Sequence, residues 1–84
     1  MNNVIMRKIE LTTEYQPLLA GRFVASVTLS AIPSNSGNVF FRGDDGADVP
    51  WLPGEWHRFV RINLSEVYVK GTPGDTLTVI GGTW

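Results

Sequence analysis

The feature that most constrains this sequence is a period-two pattern within residues 22–32, in which apolar side chains alternate with small polar ones over most of the segment. Apolar residues occupy every second position, at Phe23, Ala25, Val27, Leu29 and Ala31. The intervening positions carry Ser26, Thr28 and Ser30. Because successive side chains of a β-strand point to opposite faces, this pattern predicts a central strand whose apolar face is turned toward the core.

Turn residues divide the second half of the chain into short runs. Pro53-Gly54 precedes one run, and the Gly-Thr-Pro-Gly-Asp segment at 71–75 precedes the last. Proline presets the φ angle of a turn, glycine supplies positive φ, and the runs between are rich in β-branched and aromatic residues. The pattern predicts strands within 56–63, 64–70 and 76–81.

The first half adds further short strands. Residues 4–13 alternate so that Ile9 and Leu11 share one face, which predicts a half-buried strand. A helix over 4–11 is the competing interpretation, but Thr12-Thr13 favours extended backbone. A turn at 33–37 precedes a short strand at 38–42. Six to seven short strands without a convincing helix predict an all-β fold, a small antiparallel β-sandwich or barrel of jelly-roll or immunoglobulin-like kind.

The length of 84 residues predicts one domain, 1–84, with residues 1–7 as a candidate N-terminal arm and 82–84 as a candidate C-terminal tail. A domain this small leaves much of its surface in water and gains stability from a partner. The chain has no cysteine, so neither a disulfide nor a thiolate metal site can stabilise it. We therefore expect a homo-oligomer or docking on a larger assembly.

Charge and hydropathy exclude two classes of partner. Seven basic and eight acidic residues give a net charge of −1, so the chain has no field that would hold DNA, and we expect no direct contact with nucleic acid. No apolar run approaches the roughly 20 residues of a membrane span, and the N-terminus lacks the pattern of a signal peptide. We expect a soluble protein that is made in a cytoplasm and has no membrane partner.

The acidic segment after residue 43 does not predict a metal site. Asp44, Asp48 and Glu55 fall at the first, fifth and twelfth positions of an EF-hand-length window, but Val49 stands where that loop requires glycine. His57 is the only histidine, and no sharp turn presents a serine nucleophile. We therefore expect no cofactor, no metal and no catalytic residue in this chain, and a non-enzymatic role.

Nine residues are candidates for contact with a partner: Val4, Ile5, Met6, Trp51, Trp56, Arg58, Arg61, Tyr68 and Trp84. Large aromatic side chains are costly to expose, so the tryptophans either fill the edge of the core or anchor a contact. The three apolar residues near the N-terminus could add as a strand to a neighbour's sheet edge. The two arginines either stack on a ligand or are solvated charges on an outer face.

The order of three segments resembles a group of short tailed-bacteriophage virion proteins. The segments are Leu52-Pro53-Gly54-Glu55, the run from Leu64 to Gly71, and Gly74-Asp75 followed by Thr76 to Gly81. Upstream, Phe23 to Leu29 and Pro33 to Phe41 fit the same group, so the resemblance covers roughly residues 9–81. The chain departs from the group at 42–48, where an Asp-rich loop replaces a loop rich in glycine and hydroxyl residues.

The resemblance implies a β-sandwich capsid decoration (cement) protein on the surface of the virion. Its expected partners are the major capsid protein and further copies of itself, with a trimer favoured over a dimer. Two alternatives remain at this point. One is a carbohydrate-binding component that uses Trp51, Trp56 or Tyr68, and the other is a tail or head-to-tail connector component.

Overall fold

The computed structural model describes residues 3–83, which form eight strands and one short 3₁₀ turn. The strands are β1 (Asn3–Glu10), β2 (Gln16–Pro17), β3 (Val24–Ala31), β4 (Val39–Arg42), β5 (Asp48–Trp51), β6 (Trp56–Asn63), β7 (Tyr68–Lys70) and β8 (Thr76–Thr83). The 3₁₀ turn, Leu64–Glu66, lies between β6 and β7.

The strands form two four-stranded antiparallel sheets that pack as a jelly roll. Sheet 1 has the order β1-β8-β3-β6, and sheet 2 has the order β2-β7-β4-β5. The first strand therefore pairs with the last, the second with the seventh, the third with the sixth and the fourth with the fifth. This is the pairing of a long hairpin rolled into two sheets. The predicted antiparallel sandwich is confirmed, with eight strands rather than six to seven.

The additional strands lie outside the segments predicted to be strands. β2 is two residues long, and β5 begins at the end of the Asp-rich loop at 42–48. The Gly43 N–H donates to the carbonyl of Ala47 at 2.7 Å, and Gly46 adopts a φ of 86°, so the chain reverses within a few residues. Pro50 is tolerated in β5 because this strand lies at a sheet edge.

The core lies between the sheets and follows the alternation of the strands. β3 contributes Ala25, Val27, Leu29 and Ala31, all fully or almost fully buried, which confirms the inward face predicted for this segment. Other buried side chains come from both sheets and from the 3₁₀ turn, and include Ile5, Val39, Phe41, Leu64, Val69, Leu77 and Val79. The two apolar faces thus cover one another.

A β-bulge changes the phase of β6. Val27 pairs with Phe59 but Ala25 pairs with Ile62, so β6 has one more residue than β3 over this stretch. Arg61 lies in the bulge with a φ of 54°. Simple alternation would place Phe59 and Ile62 on opposite faces, whereas the bulge lets both pack against the core.

The expected N-terminal arm and C-terminal tail are largely strand. Residues 3–7 belong to β1, which pairs with β8 along its whole length, from Asn3 opposite Thr83 to Glu10 opposite Thr76. Gly82 and Thr83 therefore lie in β8 instead of forming a tail. The expectation was wrong because the glycine pair at 81–82 does not end the strand. Trp84 lies outside the described residues.

Asp75 ties two loops together. Its carboxylate, which is almost fully buried, accepts hydrogen bonds from the backbone N–H groups of Ser36 at 2.9 Å and Gly37 at 3.0 Å. Beside it, the Asn35 side chain exchanges two 2.9 Å hydrogen bonds with the backbone of Thr76. The loop that follows β3 is thus fixed to the loop that precedes β8. The hydrogen bond from the Ser36 N–H lowers the pKa of the Asp75 carboxyl below its usual range.

We predict that Asp75→Asn lowers the melting temperature by several degrees at about pH 7, because a charged acceptor of two backbone N–H groups is lost. A depressed folded-state pKa stabilises the fold above the unfolded value of about 3.9, and this contribution disappears as pH falls through the folded value. The variant should therefore lose less stability than the wild type on acidification to about pH 3. Circular-dichroism melts at both pH values measure this, with Asp44→Asn in the β4–β5 turn as control. Equal melting temperatures for the Asp75→Asn and Asp44→Asn variants would contradict the prediction.

Candidate contact face

The outer face of sheet 1 carries large apolar side chains that the core does not use. Of the eight exposed large hydrophobic residues within 3–83, six lie on this face: Val4, Met6, Val24, Trp56, Val60 and Ile80. We call these six residues, together with Arg58, the contact face. Single exposed apolar residues are ordinary on a protein surface, but a concentration on one side of one sheet is not.

The strand register places these side chains next to one another. Met6 pairs with Ile80, Ile80 with Thr28, and Thr28 with Arg58, which makes one row across all four strands. The exposed fractions are 73% for Met6 and 50% for Ile80. Trp56, 63% exposed, lies on the same side of β6 as Arg58. The contact face therefore runs from one edge of sheet 1 to the other.

A hollow of about 410 Å³ interrupts the contact face. It is lined by Asn3, Val4, Ser26, Arg58, Gly81, Gly82 and Thr83. The hollow follows from the row in which Val4 pairs with Gly82 and Gly82 with Ser26, because this row has no large side chain at its centre. The face consequently offers a shallow depression between apolar rims.

Gly81 permits the close approach of β8 and β3 beneath this hollow. A methyl group on Gly81 would lie 2.0 Å from the carbonyl oxygen of Ser26 and 2.7 Å from the Cα of Val27. Any other residue would therefore force the two backbones apart.

Two of the eight predicted contact residues that lie within 3–83 are buried. Ile5 is only 4% exposed, because it occupies an inward position of β1, while Val4 and Met6 on either side of it point outward. Trp51 is 6% exposed, and its ring lies 4.0 Å from that of Phe41. Burial removes Ile5 and Trp51 from the candidate contact residues, and of the two interpretations given for Trp51, packing at the edge of the core agrees with the structure.

The basic and aromatic residues of β6 divide between its two sides. Trp56 and Arg58 belong to the contact face. His57 shares the side of Phe59, packs edge-on against Trp51 at 4.7 Å, and lies 2.6 Å from the Glu55 carboxylate. Arg61 is exposed in the bulge, where its backbone N–H donates to Ser26 Oγ at 3.0 Å. The structure therefore does not bring these residues together as one stacking site.

Tyr68 lies on the other sheet, in a polar cluster. The Arg42 guanidinium is 4.6 Å from the ring centroid of Tyr15 and 5.1 Å from that of Tyr68. Lys70 Nζ lies 4.7 Å from the centroid of the Tyr15 ring and 3.5 Å from the Asp48 carboxylate. The Tyr15 hydroxyl donates to that carboxylate. Cation–π contacts and an ion pair thus link β4, β5 and β7 to the segment before β2.

Burial, together with the hydrogen bond to Asp48, raises the pKa of Tyr15 to about 12. The same hydrogen bond lowers the pKa of the Asp48 carboxyl, and Lys70 adds to this effect. At neutral pH the pair is therefore a phenol that donates and a carboxylate that accepts. The cluster is internally paired, and this arrangement ties the β4–β5 hairpin to the rest of sheet 2.

Sequence reasoning missed the residue at the centre of the contact face. Ile80 follows Val79 directly, so in a strand the two must point to opposite faces, and only one of them can enter the core. The sequence therefore did contain a signal for this contact residue: Ile80 is a large apolar residue at an outward position of an amphipathic strand. The same signal applies to Val60, whose neighbour Phe59 packs against the core.

Comparison with protein-family models, curated proteins and solved structures finds no significant match to this chain. Within residues 3–83 no group of three or more histidine, cysteine, aspartate or glutamate side chains is placed to hold a metal ion. The described part of the chain also has no helix that is both long and apolar enough to cross a membrane.

We predict that Tyr15→Phe raises the pKa of Asp48 toward the ordinary aspartate value, because the hydroxyl that stabilises the carboxylate is removed. A ¹³C NMR titration of the side-chain carboxyl groups measures this pKa. The Asp75 carboxyl, which has other partners, should titrate as in the wild type and serves as the internal control. An unchanged Asp48 titration would show that the hydroxyl does not stabilise the carboxylate.

Proposed function

We propose that this protein is a non-enzymatic bacteriophage capsid decoration protein that binds the assembled head and stabilises contacts between capsid subunits. The observation that carries the proposal is the contact face, six exposed apolar side chains on one side of a sheet whose other side already forms the core. We infer that the major capsid protein is the partner this face covers.

The composition of the face supports a protein–protein contact. Interface cores are enriched in tryptophan, methionine and arginine and depleted in lysine and acidic residues. Trp56, Met6 and Arg58 all belong to the contact face. Lys8 and Glu10 lie toward the end of β1, 3.8 Å apart, and would contribute a polar rim. An aromatic anchor and a buried arginine are the groups that most often dominate the energy of such contacts.

The fold and the sequence resemblance both support a role as a structural protein of a virion. Eight-stranded jelly rolls occur in viral capsid proteins, and also in lectins and cupins, so the topology alone does not determine the function. The resemblance of residues 9–81 to short phage virion proteins favours the first of these classes. Together they support a structural role at the capsid surface after synthesis in the infected cell.

The carbohydrate-binding alternative has less support. It needs exposed aromatic rings grouped as a stacking platform, whereas Trp51 is buried and Arg42 lies over the ring of Tyr68. Trp56 is the one exposed tryptophan within residues 3–83. A tail or connector role would use the same contact face in a ring, and only the number of copies in the virion distinguishes it from decoration.

The proposed mechanism is thermodynamic linkage. A protein that binds the assembled shell but not its free subunits stabilises the shell by RT ln(1 + [L]/Kd) at each site. This amounts to about 2.7 kcal/mol for each site when the free protein is present at a hundred times its Kd. Repetition over many equivalent sites makes a small contribution at each site large for the whole shell.

We predict that Ile80→Lys weakens binding to shells at least about tenfold, because a desolvated, unpaired charge would lie at the centre of the contact. Co-sedimentation with shells of the encoding phage that lack this protein measures the affinity. Leu52→Lys is the matched control, since Leu52 is 62% exposed but lies in the loop after β5. Circular dichroism verifies that both variants fold. Equal binding by wild type and both variants would exclude the contact face, and no binding by the wild type would exclude the decoration role.

A further inference from the structure

Three of the four sheet edges carry features that prevent strand addition. β2 is two residues long and ends in Pro17, and β5 contains Pro50. β6 is interrupted by the bulge that holds Arg61. Short edge strands, prolines, bulges and charges are the usual means by which proteins keep an exposed edge from pairing with another chain.

The fourth edge, β1, lacks such a feature over its first half. Residues 3–6 are Asn-Val-Ile-Met, in regular register with β8 and without proline, bulge or charge. Val4 and Met6 are 74% and 73% exposed, the most exposed large hydrophobic residues within 3–83. An apolar, unprotected edge segment is a template for another strand, so the first half of β1 is suited to a partner.

We propose that a second copy of this chain pairs with this edge, β1 against β1 in antiparallel orientation, about a two-fold axis at Ile5. The pairing would join the two copies of sheet 1 into one continuous eight-stranded sheet. It deepens the proposed function because it places two contact faces side by side, but it does not require a capsid to form. A two-fold pairing closes with two copies, so the expected trimer is replaced by a dimer.

Side-chain complementarity selects this register. With Ile5 at the axis, Val4 lies opposite Met6 of the second copy, and Asn3 lies opposite Arg7 of the second copy. Within residues 3–7 both outward pairs are apolar, and the arginine faces an amide instead of another cation. Cross-strand apolar pairs stabilise a sheet, and like charges directly opposite destabilise it.

The registers with an axis further along β1 are less favourable. An axis at Met6 sets Lys8 opposite Val4, and an axis at Arg7 or Lys8 sets two identical cations against each other. An axis at Ile9 would use the edge at Glu10, but the Glu10 carbonyl already accepts a 2.8 Å hydrogen bond from the Gln16 side chain. Self-complementarity at Ile5 favours a second copy as the occupant of this edge.

Analytical ultracentrifugation of the full chain tests the proposal. We expect the wild type to sediment as a concentration-dependent dimer, twice the 9.3 kDa chain mass. Val4→Lys/Met6→Lys places like charges opposite each other and should raise the dissociation constant at least about tenfold. Val4→Glu/Met6→Lys places opposite charges across the axis in this register and should retain most of the dimer.

Val60→Lys is the matched control, because Val60 is 63% exposed on the same face but on the far edge strand, and it should leave the dimer unchanged. Circular dichroism verifies the fold of each variant. A monomeric or trimeric wild type overturns the proposal. The proposal also fails if the Val4→Glu/Met6→Lys variant dissociates as readily as the Val4→Lys/Met6→Lys variant. If the wild type is a monomer that still binds shells, only the pairing is overturned. If it is a dimer that does not bind shells, only the decoration role is overturned.

Discussion

Sheet 1 depends on β8, which is hydrogen-bonded to β1 on one side and to β3 on the other. Leu77 and Val79 on its inner face enter the core, while Ile80 on its outer face lies at the centre of the contact face. Gly81 lets β8 approach β3 more closely than any side chain would allow. The core and the contact face are therefore two sides of the same strand, and Asp75 fixes the point at which this strand begins.

The fold could be predicted where one local pattern determined the structure. The alternation over 22–32 identified β3 and its inward face because a single strand contains all the information needed. The bulge in β6 could not be anticipated, since it is defined by the spacing of Phe59 and Ile62 against β3, a partner distant in sequence. For the same reason the Gly81-Gly82 pair suggested the end of a strand, whereas its pairing with β1 and β3 continues the strand to Thr83.

The contact face was predictable in part. Val4 and Met6 were expected to contact a partner as members of an arm, and they are exposed for another reason, because strand alternation turns them outward beside a buried Ile5. Composition alone could not separate Trp51 from Trp56, although Trp51 is 6% exposed and Trp56 is 63% exposed. The polar cluster around Tyr15 escaped prediction because the jelly-roll topology, and no local motif, brings its members together.

We propose that many copies of this protein cover a phage capsid, and the copy number of the chain in purified virions tests this directly. Quantitative mass spectrometry gives the ratio of this chain to the major capsid protein. We expect about as many copies of this chain as of the capsid protein, within an order of magnitude, because decoration repeats over the whole shell. A ratio that fits a single ring or a few fibres, or the absence of the chain from virions, would contradict it.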